Sequence, residues 1–324
     1  MSEKFYLGLD SGGTKTQVAL LAADGAVIAQ QMTGPVRLTA RRASAAVITR
    51  TKEIIDFTLQ QANIGWGDIA FFGFGMCGAD YDDEIPTQER TLGEGLGIRA
   101  ERMKLVNDGI VALWGGSAKK RAVILQLGTA FTAAYRTDLG RETPFDHLNA
   151  GVIVELRRTI LASGARVLDG RLPRSILPEL LLKHFEEQSP EDVLRKYVRN
   201  TLDSWKLLTV ITPWREAVEQ GDKVALKILE GAAKVYADDI KYMLKKMDGD
   251  GADVVLGGGL LANAPRLFRQ RIAQLVRKKY AKVTVHSPHL SPAVGGAVMA
   301  AYLDGVKHRP FYRTAKKTWT GASQ

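Results

Sequence analysis

Apolar residues alternate with turn signals in the first part of the chain, in a pattern that predicts strands followed by helices. Three strands come first, and an Asp24-Gly25 turn joins the second to the third. Apolar positions at helical spacing then predict a helix. The predicted elements are strands at 5–10, 15–22, 25–31, 69–74 and 103–106, with helices at 41–63, near 84–95 and at 110–114. This βββαβαβα order predicts an α/β domain.

The same strand–turn–strand pattern begins again after residue 118. An apolar run at 121–127 predicts a strand that turns at Gly128-Thr129 and returns as a second strand. Overlaying Asp10-Ser11-Gly12 on Gln126-Leu127-Gly128 aligns the two hairpins. We therefore predict a weak internal duplication and two similar lobes with a boundary near residue 118.

The rest of the chain is mostly helical by its apolar period, with further strands at 252–256 and 282–286. A run of small residues near the end predicts a last closely packed helix. The predicted organisation is an N-terminal lobe at 1–118, a C-terminal lobe at 119–292 with a helical insertion at 150–246, a final helix at about 293–306 that packs back on the first lobe, and a basic tail at 307–324.

Composition limits the class of protein. The chain has 324 residues, 45% of them hydrophobic and 25% charged, which is ordinary for a soluble globular protein. No apolar run reaches the roughly 18 residues of a membrane span, and the start of the chain does not resemble a signal peptide. The single cysteine, Cys77, excludes an internal disulfide, a cysteine-based zinc site and an iron–sulfur cluster built within one chain. We therefore expect a cytoplasmic protein.

The net charge of +10 is partly concentrated near the C-terminus. Basic residues there surround Phe311 and Tyr312, with Trp319 just beyond, a combination that also occurs in nucleic-acid patches. Nothing else in the chain resembles a nucleic-acid module, so we favour a frayed basic terminus and expect no nucleic-acid partner. A basic surface also suits anionic small substrates.

The turn after the first strand carries the clearest candidate chemistry. Glycine lets backbone N–H groups approach an oxyanion without a Cβ in the way, threonine hydroxyls add donors, and Asp10 at the strand end can hold a metal. This combination suits the phosphates of a nucleotide and their magnesium ion, and the alternative is an ordinary Gly-Gly hairpin. The candidate phosphate-binding residues are Gly12, Gly13, Thr14, Lys15 and Thr16.

Three further strand ends carry residues suited to nucleotide chemistry, at the edge where α/β sheets bind ligands. Asp108, between a strand and a helix, is a candidate general base, and its alternative role is to cap the helix. The turn at Gly128-Thr129 is a second candidate phosphate loop. A triple glycine follows a later strand and consists of Gly257, Gly258 and Gly259. It is either a platform on which a purine or a ribose can lie, or a tight turn from strand to helix.

In order and spacing these motifs resemble the actin–hexokinase ATPase superfamily, and within it the N-acetylglucosamine kinase and BadF/BadG-type ATPase branch. The resemblance runs from residue 5 to about residue 303. It implies two actin-like (ribonuclease H-like) lobes around a central cleft. It also implies transfer of the γ-phosphoryl group of ATP to a hydroxyl of a hexose or amino sugar, with Asp10 orienting Mg²⁺ and Asp108 as general base. A homodimer is the family-level expectation for assembly.

The resemblance also assigns residues to the sugar half of the site, where the chain departs from the family pattern. The implied substrate residues are Met76, Cys77, Gly78, Asn107 and Asn149. No carboxylate falls in the turn at 148–151, where the family has an acidic residue that grips the sugar. In the second phosphate loop Phe131 replaces a small residue, and we expect its ring to crowd the phosphate.

Other interpretations of these motifs lead to different functions. The segment Gly73–Gly78 matches the G-x-G-x-x-G pattern of dinucleotide sites, but the acids within 79–84 would repel a pyrophosphate. An ATPase activator of the dehydratase type needs more cysteines than Cys77. A nucleotide or sugar sensor that binds without turnover is the remaining alternative to a kinase, and the altered second loop supports it.

Overall fold

The first of two mixed five-stranded sheets is built by the N-terminal part of the chain in this computed structural model, which describes residues 4–145 and 152–321. Its strands are β1 (Phe5–Ser11), β2 (Thr16–Ala22), β3 (Val27–Thr33), β4 (Ile69–Met76) and β5 (Met103–Val106). The strand order is β3-β2-β1-β4-β5. The hairpin strands β1, β2 and β3 are antiparallel, whereas β4 is parallel to both β1 and β5.

The second sheet repeats this topology. Its strands are β6 (Ala122–Leu127), β7 (Phe131–Asp138), β8 (Arg141–Pro144), β9 (Asp253–Gly257) and β10 (Thr284–His286). The strand order is β8-β7-β6-β9-β10, with the hairpin strands antiparallel and β9 parallel to both β6 and β10. Counted from the first strand of each half, both sheets have the order 3-2-1-4-5, which agrees with the predicted duplication and gives a two-lobed α/β fold.

Helices cover the outer faces of both sheets and fill the space between them. In chain order they are α1 (Ala45–Ala62), α2 (Ile85–Leu96), α3 (Asp108–Gly116), α4 (Val152–Leu168), α5 (Leu177–Phe185), α6 (Pro190–Val198), α7 (Ser204–Leu208), α8 (Ile211–Glu219), α9 (Lys223–Lys246), α10 (Gly259–Asn263), α11 (Arg266–Arg277), α12 (Pro292–Leu303) and α13 (His308–Thr318). Helices α10 and α11 are separate because Pro265 lies between them. Among the described helices, none combines the length and apolar character that a bilayer crossing demands.

Buried apolar side chains form three layers. One covers the outer face of the first sheet beneath α1 and α2, and another covers the outer face of the second sheet beneath the helical insertion. The middle layer joins the facing sides of both sheets through α3 and α12. Small residues let α12 pack on all its sides, and nine of its twelve residues are buried. The two lobes therefore share a central core.

The C-terminal segment is folded, and the expectation of a frayed basic terminus is wrong. Helix α13 buries Phe311, Tyr312 and Ala315 on one face, at the spacing of an amphipathic helix. The ring of Phe311 packs edge-on against Tyr6 of β1, with ring centroids 5.6 Å apart. This apolar face anchors the segment while most of its basic side chains stay exposed.

Candidate active site

The first candidate phosphate loop is the hairpin turn between β1 and β2. The amide of Gly12 donates to the carbonyl oxygen of Lys15 at 3.0 Å, which closes the turn. Gly12 and Gly13 are partly exposed, and Thr14 and Lys15 are exposed. The backbone of Gly13 and the side chains of Thr14 and Lys15 are therefore accessible to a ligand, whereas the amide of Gly12 is used within the turn.

Thr16 differs from this group because its side chain is fully buried. Its Oγ1 accepts a hydrogen bond from the amide of Val36 at 2.9 Å and lies 3.2 Å from Oγ of Ser11. The Ser11 hydroxyl donates in turn to the carbonyl oxygen of Val36. The structure therefore does not place Thr16 among the phosphate donors: its hydroxyl ties the loop after β3 to the base of the turn.

Asp10 lies at the cleft end of β1. Burial raises the pKa of its carboxyl to about 7, although the charge of Lys15 acts in the opposite direction. A cation bound at such a carboxylate restores the solvation that burial removes. The described part of the chain contains no group of three or more His, Cys, Asp or Glu side chains that could hold a metal. A Mg²⁺ ion at Asp10 would thus take most of its ligands from water and phosphate, which suits this ion.

The turns of the two lobes meet across the cleft. A Cβ atom placed on Gly13 would lie 3.4 Å from Cβ of Thr129 and 3.1 Å from Nη2 of Arg37. The Arg37 guanidinium, on the loop after β3, donates to the carbonyl oxygen of Gly13. Sequence reasoning missed Arg37, because it lies outside any motif and reaches the turn only through the fold. A cationic side chain and both candidate phosphate loops therefore converge.

A buried arginine of α4 holds the second turn. Nη2 of Arg157 donates to the carbonyl oxygen of Gly128 at 2.9 Å, and Nη1 donates to that of Thr129 at 3.3 Å. Burial lowers the pKa of this guanidinium, which stays charged at neutral pH. In a trans peptide the N–H points opposite to the C=O, so the amides of Thr129 and Ala130 point away from Arg157. Arg157 was not predicted either, because it is 29 residues from Gly128 in sequence.

Phe131 does not crowd this turn, and the expectation that it would is wrong. Its side chain is 8% exposed and stacks on Tyr236, with ring centroids 6.4 Å apart and ring planes 13° apart. In the β6–β7 ladder Phe131 pairs with Leu127, and both belong to the core of the second lobe. Side chains alternate across a strand, and this register directs the ring into the core.

Asp108 is the first residue of α3, but it is not the helix cap. That role belongs to Asn107, whose Oδ1 accepts from the amide of Gly109 at 2.8 Å. Asn107 is fully buried, and its Nδ2 donates to Oδ1 of Asp80 at 2.9 Å. The carboxylate of Asp108 lies in the first helical turn, where the helix dipole favours negative charge. The capping alternative for Asp108 is therefore excluded, and Asn107 positions the turn that carries it.

Strand register places Asp10 and Asp108 at the same edge of the first sheet. Asp10 pairs with Gly75, and Gly75 pairs with Val106, two residues before Asp108. Two strand spacings separate the backbones of Asp10 and Val106, which is about 10 Å. A Cβ atom on Gly109 would lie 2.8 Å from a β7 side chain, so the start of α3 also reaches the second lobe. The candidate metal ligand and the candidate base thus border one cleft.

The predicted sugar-binding residues are only partly accessible. Met76 is fully buried in the core of the first lobe, so its side chain does not line a sugar pocket. Cys77 and Gly78 are partly exposed, and Gly78 has a φ of +92° where a Cβ would overlap the carbonyl oxygen of Leu38. Asn149 lies outside the described residues.

Two of the three glycines in the Gly73–Gly78 segment, Gly73 and Gly75, serve helix packing rather than a dinucleotide. A Cβ on Gly73 would overlap the backbone of Gly296 in α12, and one on Gly75 would overlap Val111 in α3. The next helix, α2, begins only at Ile85. A dinucleotide site needs a helix that opens directly at the glycine turn, so this pattern is not one.

The triple glycine adjoins the second turn, because Gly257 pairs with Gln126 at the end of β6. Gly258 has a φ of +92°, and a Cβ there would overlap the backbone of Leu127. Gly257 is buried, whereas Gly259 is exposed and faces open space. Gly257 and Gly258 are therefore required by the tight turn from strand to helix. Gly259 has open space beside it, so it is the glycine that can lie against a nucleoside.

Comparison with known proteins places the chain in a family. Residues 7–301 match the family described as the BadF/BadG/BcrA/BcrD ATPase family. The N-acetylmuramic acid/N-acetylglucosamine kinase of Clostridium acetobutylicum is 23% identical over 312 residues, which cover 92% of this chain and 98% of that protein. The N-acetyl-D-glucosamine kinase of Dictyostelium discoideum is 23% identical over 323 residues, which cover 93% of this chain and 98% of that protein.

A solved structure shows the same fold. A protein from Chromobacterium violaceum, provisionally assigned as an N-acetylglucosamine kinase, superposes with a TM-score of 0.64 at 20% identity, over 93% of this chain and 100% of that one. Its likeness extends over both lobes. Since the family match spans most of the sequence, the chain belongs to the BadF/BadG/BcrA/BcrD ATPase family.

Proposed function

We propose that the protein is an ATP-dependent kinase that phosphorylates a hydroxyl of a hexose or amino sugar. The approach of Gly13 to Thr129 carries the proposal, because it sets one glycine-containing turn of each lobe beside a shared cleft. Asp10 and Asp108 border the same cleft. Both relatives described above are named as kinases of N-acetylated amino sugars, which favours an amino sugar as acceptor.

The two turns would bind the phosphates of ATP mainly through backbone donors. Amides of the first turn other than that of Gly12, which is bonded to Lys15, would donate from one lobe. The amides of Thr129 and Ala130, which point away from Arg157, would donate from the other. Arg37 and Lys15 add positive charge at the first turn. Mg²⁺, held through Asp10, would supply further neutralisation of phosphate charge. Gly259 would lie against the nucleoside.

Asp108 would act as general base. Its carboxylate accepts the proton of the sugar hydroxyl while the hydroxyl oxygen bonds to the γ-phosphorus and the bond to the β–γ bridging oxygen breaks, which releases ADP. Holding the hydroxyl oxygen, the γ-phosphorus and the β–γ bridging oxygen in line supplies much of the rate acceleration, because little covalent chemistry is left to the protein. Closure of the lobes would exclude water that otherwise hydrolyses ATP. A cytoplasmic homodimer remains the prediction for location and assembly.

The test is sugar-dependent phosphoryl transfer. Purified protein is incubated with ATP and Mg²⁺ and, in turn, N-acetylglucosamine, N-acetylmuramic acid, glucosamine or glucose, and the products are followed by ³¹P nuclear magnetic resonance. We expect a sugar phosphate and equimolar ADP with at least one amino sugar. Tight binding of ATP and sugar, with no ADP formed above the sugar-free rate, would sink the kinase proposal and support the sensor.

A further inference from the structure

A second cavity lies at the edge of the second sheet opposite the two turns. It has a volume of about 460 Å³ and is lined by the segment between α3 and β6, the β7–β8 turn and the junction between α12 and α13. Phe131 and Asp138 are the two ends of β7, so about 23 Å of strand separates this cavity from the second turn. It is therefore not part of the candidate active site.

The cavity is electropositive. Lys120, Lys307 and Arg309 line it, and Asp138 is the acid among its lining residues. Lys120 pairs with Asp138 at 3.3 Å, which leaves Lys307 and Arg309 without an ion pair among the described residues. Helix α13 begins at the cavity, and in the described part of the chain no side chain caps the amides of His308 and Arg309 at its start. The positive end of the helix dipole thus adds to the two cationic side chains.

His308 provides an independent sign that a ligand belongs here. It lines the cavity and is 6% exposed, yet neither ring nitrogen has a hydrogen-bond partner within residues 4–145 and 152–321. Trp114, Tyr302 and Tyr312 surround the ring, with centroid distances of 5.3, 6.3 and 5.6 Å. Behind the lining, Nη1 of the fully buried Arg136 has no hydrogen-bond partner among the described residues, and Oε1 of Glu142 lies 4.0 Å from it as an ion pair. Buried donors without partners are unfavourable, and a bound acceptor would relieve this cost.

The surroundings of His308 select an anion. Burial, and to a smaller extent the charges of Arg136 and Arg309, lowers the pKa of the imidazole to about 4, so the ring is neutral at pH 7 and one of its nitrogens carries a proton to donate. Lys307 and Arg309, which line the cavity, attract a negative charge. An oxyanion can accept from the imidazole, from a guanidinium and from the free amides of α13, which a neutral ligand cannot do as well.

We propose that this cavity binds a small phosphate-bearing anion, either inorganic phosphate or a phosphomonoester such as a sugar phosphate. The space exceeds that of one phosphate group and leaves room for a sugar. The anion would touch Lys120 and the β7–β8 turn of the second lobe and the α12–α13 junction, whose helix α13 packs on β1 of the first lobe. It would therefore bridge the two lobes.

Binding is tested by calorimetry with inorganic phosphate and with glucose 6-phosphate at constant ionic strength. The double variant Lys307→Gln/Arg309→Gln removes two charges at the cavity, and Lys316→Gln/Lys317→Gln removes two exposed charges from the last turn of the same helix. We expect at least tenfold weaker binding in the first and less than a twofold change in the control. Phosphate that binds in the cleft between the two turns should do so equally in the wild type and in both double variants, so it does not affect the comparison. Tighter binding of the sugar phosphate identifies a phosphomonoester as the ligand, and equal affinity identifies phosphate itself.

A second measurement reports on the site directly. The His308 ring resonance, assigned by its loss in His308→Phe, should shift on addition of phosphate in the wild type and in the Lys316/Lys317 control. Phenylalanine keeps the aromatic packing and removes both nitrogens, so this variant should also bind phosphate more weakly. Equal phosphate affinity in both double variants, or a His308 resonance that phosphate does not move, would overturn the proposal.

Discussion

The guanidinium of Arg157 donates from Nη2 to the carbonyl oxygen of Gly128, 2.9 Å away. With the second bond to Thr129, this contact orients two successive peptide groups of the second turn. The amides that follow these carbonyls are thereby directed to the other side of the turn. An arginine buried in α4 thus sets the direction of donors that no motif of the turn itself specifies.

Replacing Arg157 should weaken nucleotide binding. Arg157→Lys keeps the charge but cannot donate to both carbonyls from one planar group, so the turn loses its fixed orientation. We expect KM for ATP to rise about tenfold, consistent with the loss of one charge-assisted hydrogen bond. Arg158→Lys is the matched control, since Arg158 is the exposed neighbour on α4. Equal KM values in the two variants would contradict the role of Arg157.

Replacing Asp108 should remove turnover without unfolding the protein. Asp108→Asn keeps the size of the side chain and leaves Asn107 as the cap of α3, so the midpoint of thermal unfolding should change little. Loss of a general base lowers kcat by about 10²- to 10⁴-fold. Steady-state kinetics and calorimetric ATP binding check this together. A variant with near-normal kcat would show that another group accepts the proton.

Phe131 should matter for stability and not for the nucleotide. Phe131→Ala leaves a cavity next to Tyr236 and is expected to lower the free energy of unfolding by about 3 kcal/mol. Its ring points into the core, so KM for ATP should stay within about twofold of the wild type. Urea unfolding and ATP kinetics measure the two effects. A marked fall in KM for ATP on truncation would restore the view that the ring obstructs the phosphate.

His308 should make stability depend on pH in mild acid. Its pKa is about 4 in the folded protein, against about 6.5 in an unfolded chain. Between these values the unfolded chain binds more protons, so this contribution is fully present above pH 6.5 and is lost as the pH falls towards 4. The loss amounts to about 3 kcal/mol at most. Urea unfolding in phosphate-free buffer at pH 7, 6 and 5 should show a smaller decline for His308→Phe than for the wild type. Parallel declines would mean that other groups carry the acid sensitivity.

Local patterns located the strand ends that border the cleft. The alternation of apolar runs and turn residues around Asp10 and around Gly128 depends on neighbouring residues alone, so both hairpins lie at the positions that the sequence predicts. Which face a side chain takes was harder to foresee, because a shift of one residue in register reverses it. Phe131 and Met76 were both expected in the site, and both point into the core.

The sequence by itself determined the duplicated α/β architecture and the order of the glycine turns and carboxylates along it, because periodicity and turn chemistry act over a few residues. Only the tertiary structure decided which distant side chains meet these elements. Arg37 and Arg157 reach the two turns from other segments, and α13 folds back until His308 is buried beside Arg136. Such contacts arise when sheets and helices pack their apolar faces, and this process joins residues with no relation in sequence.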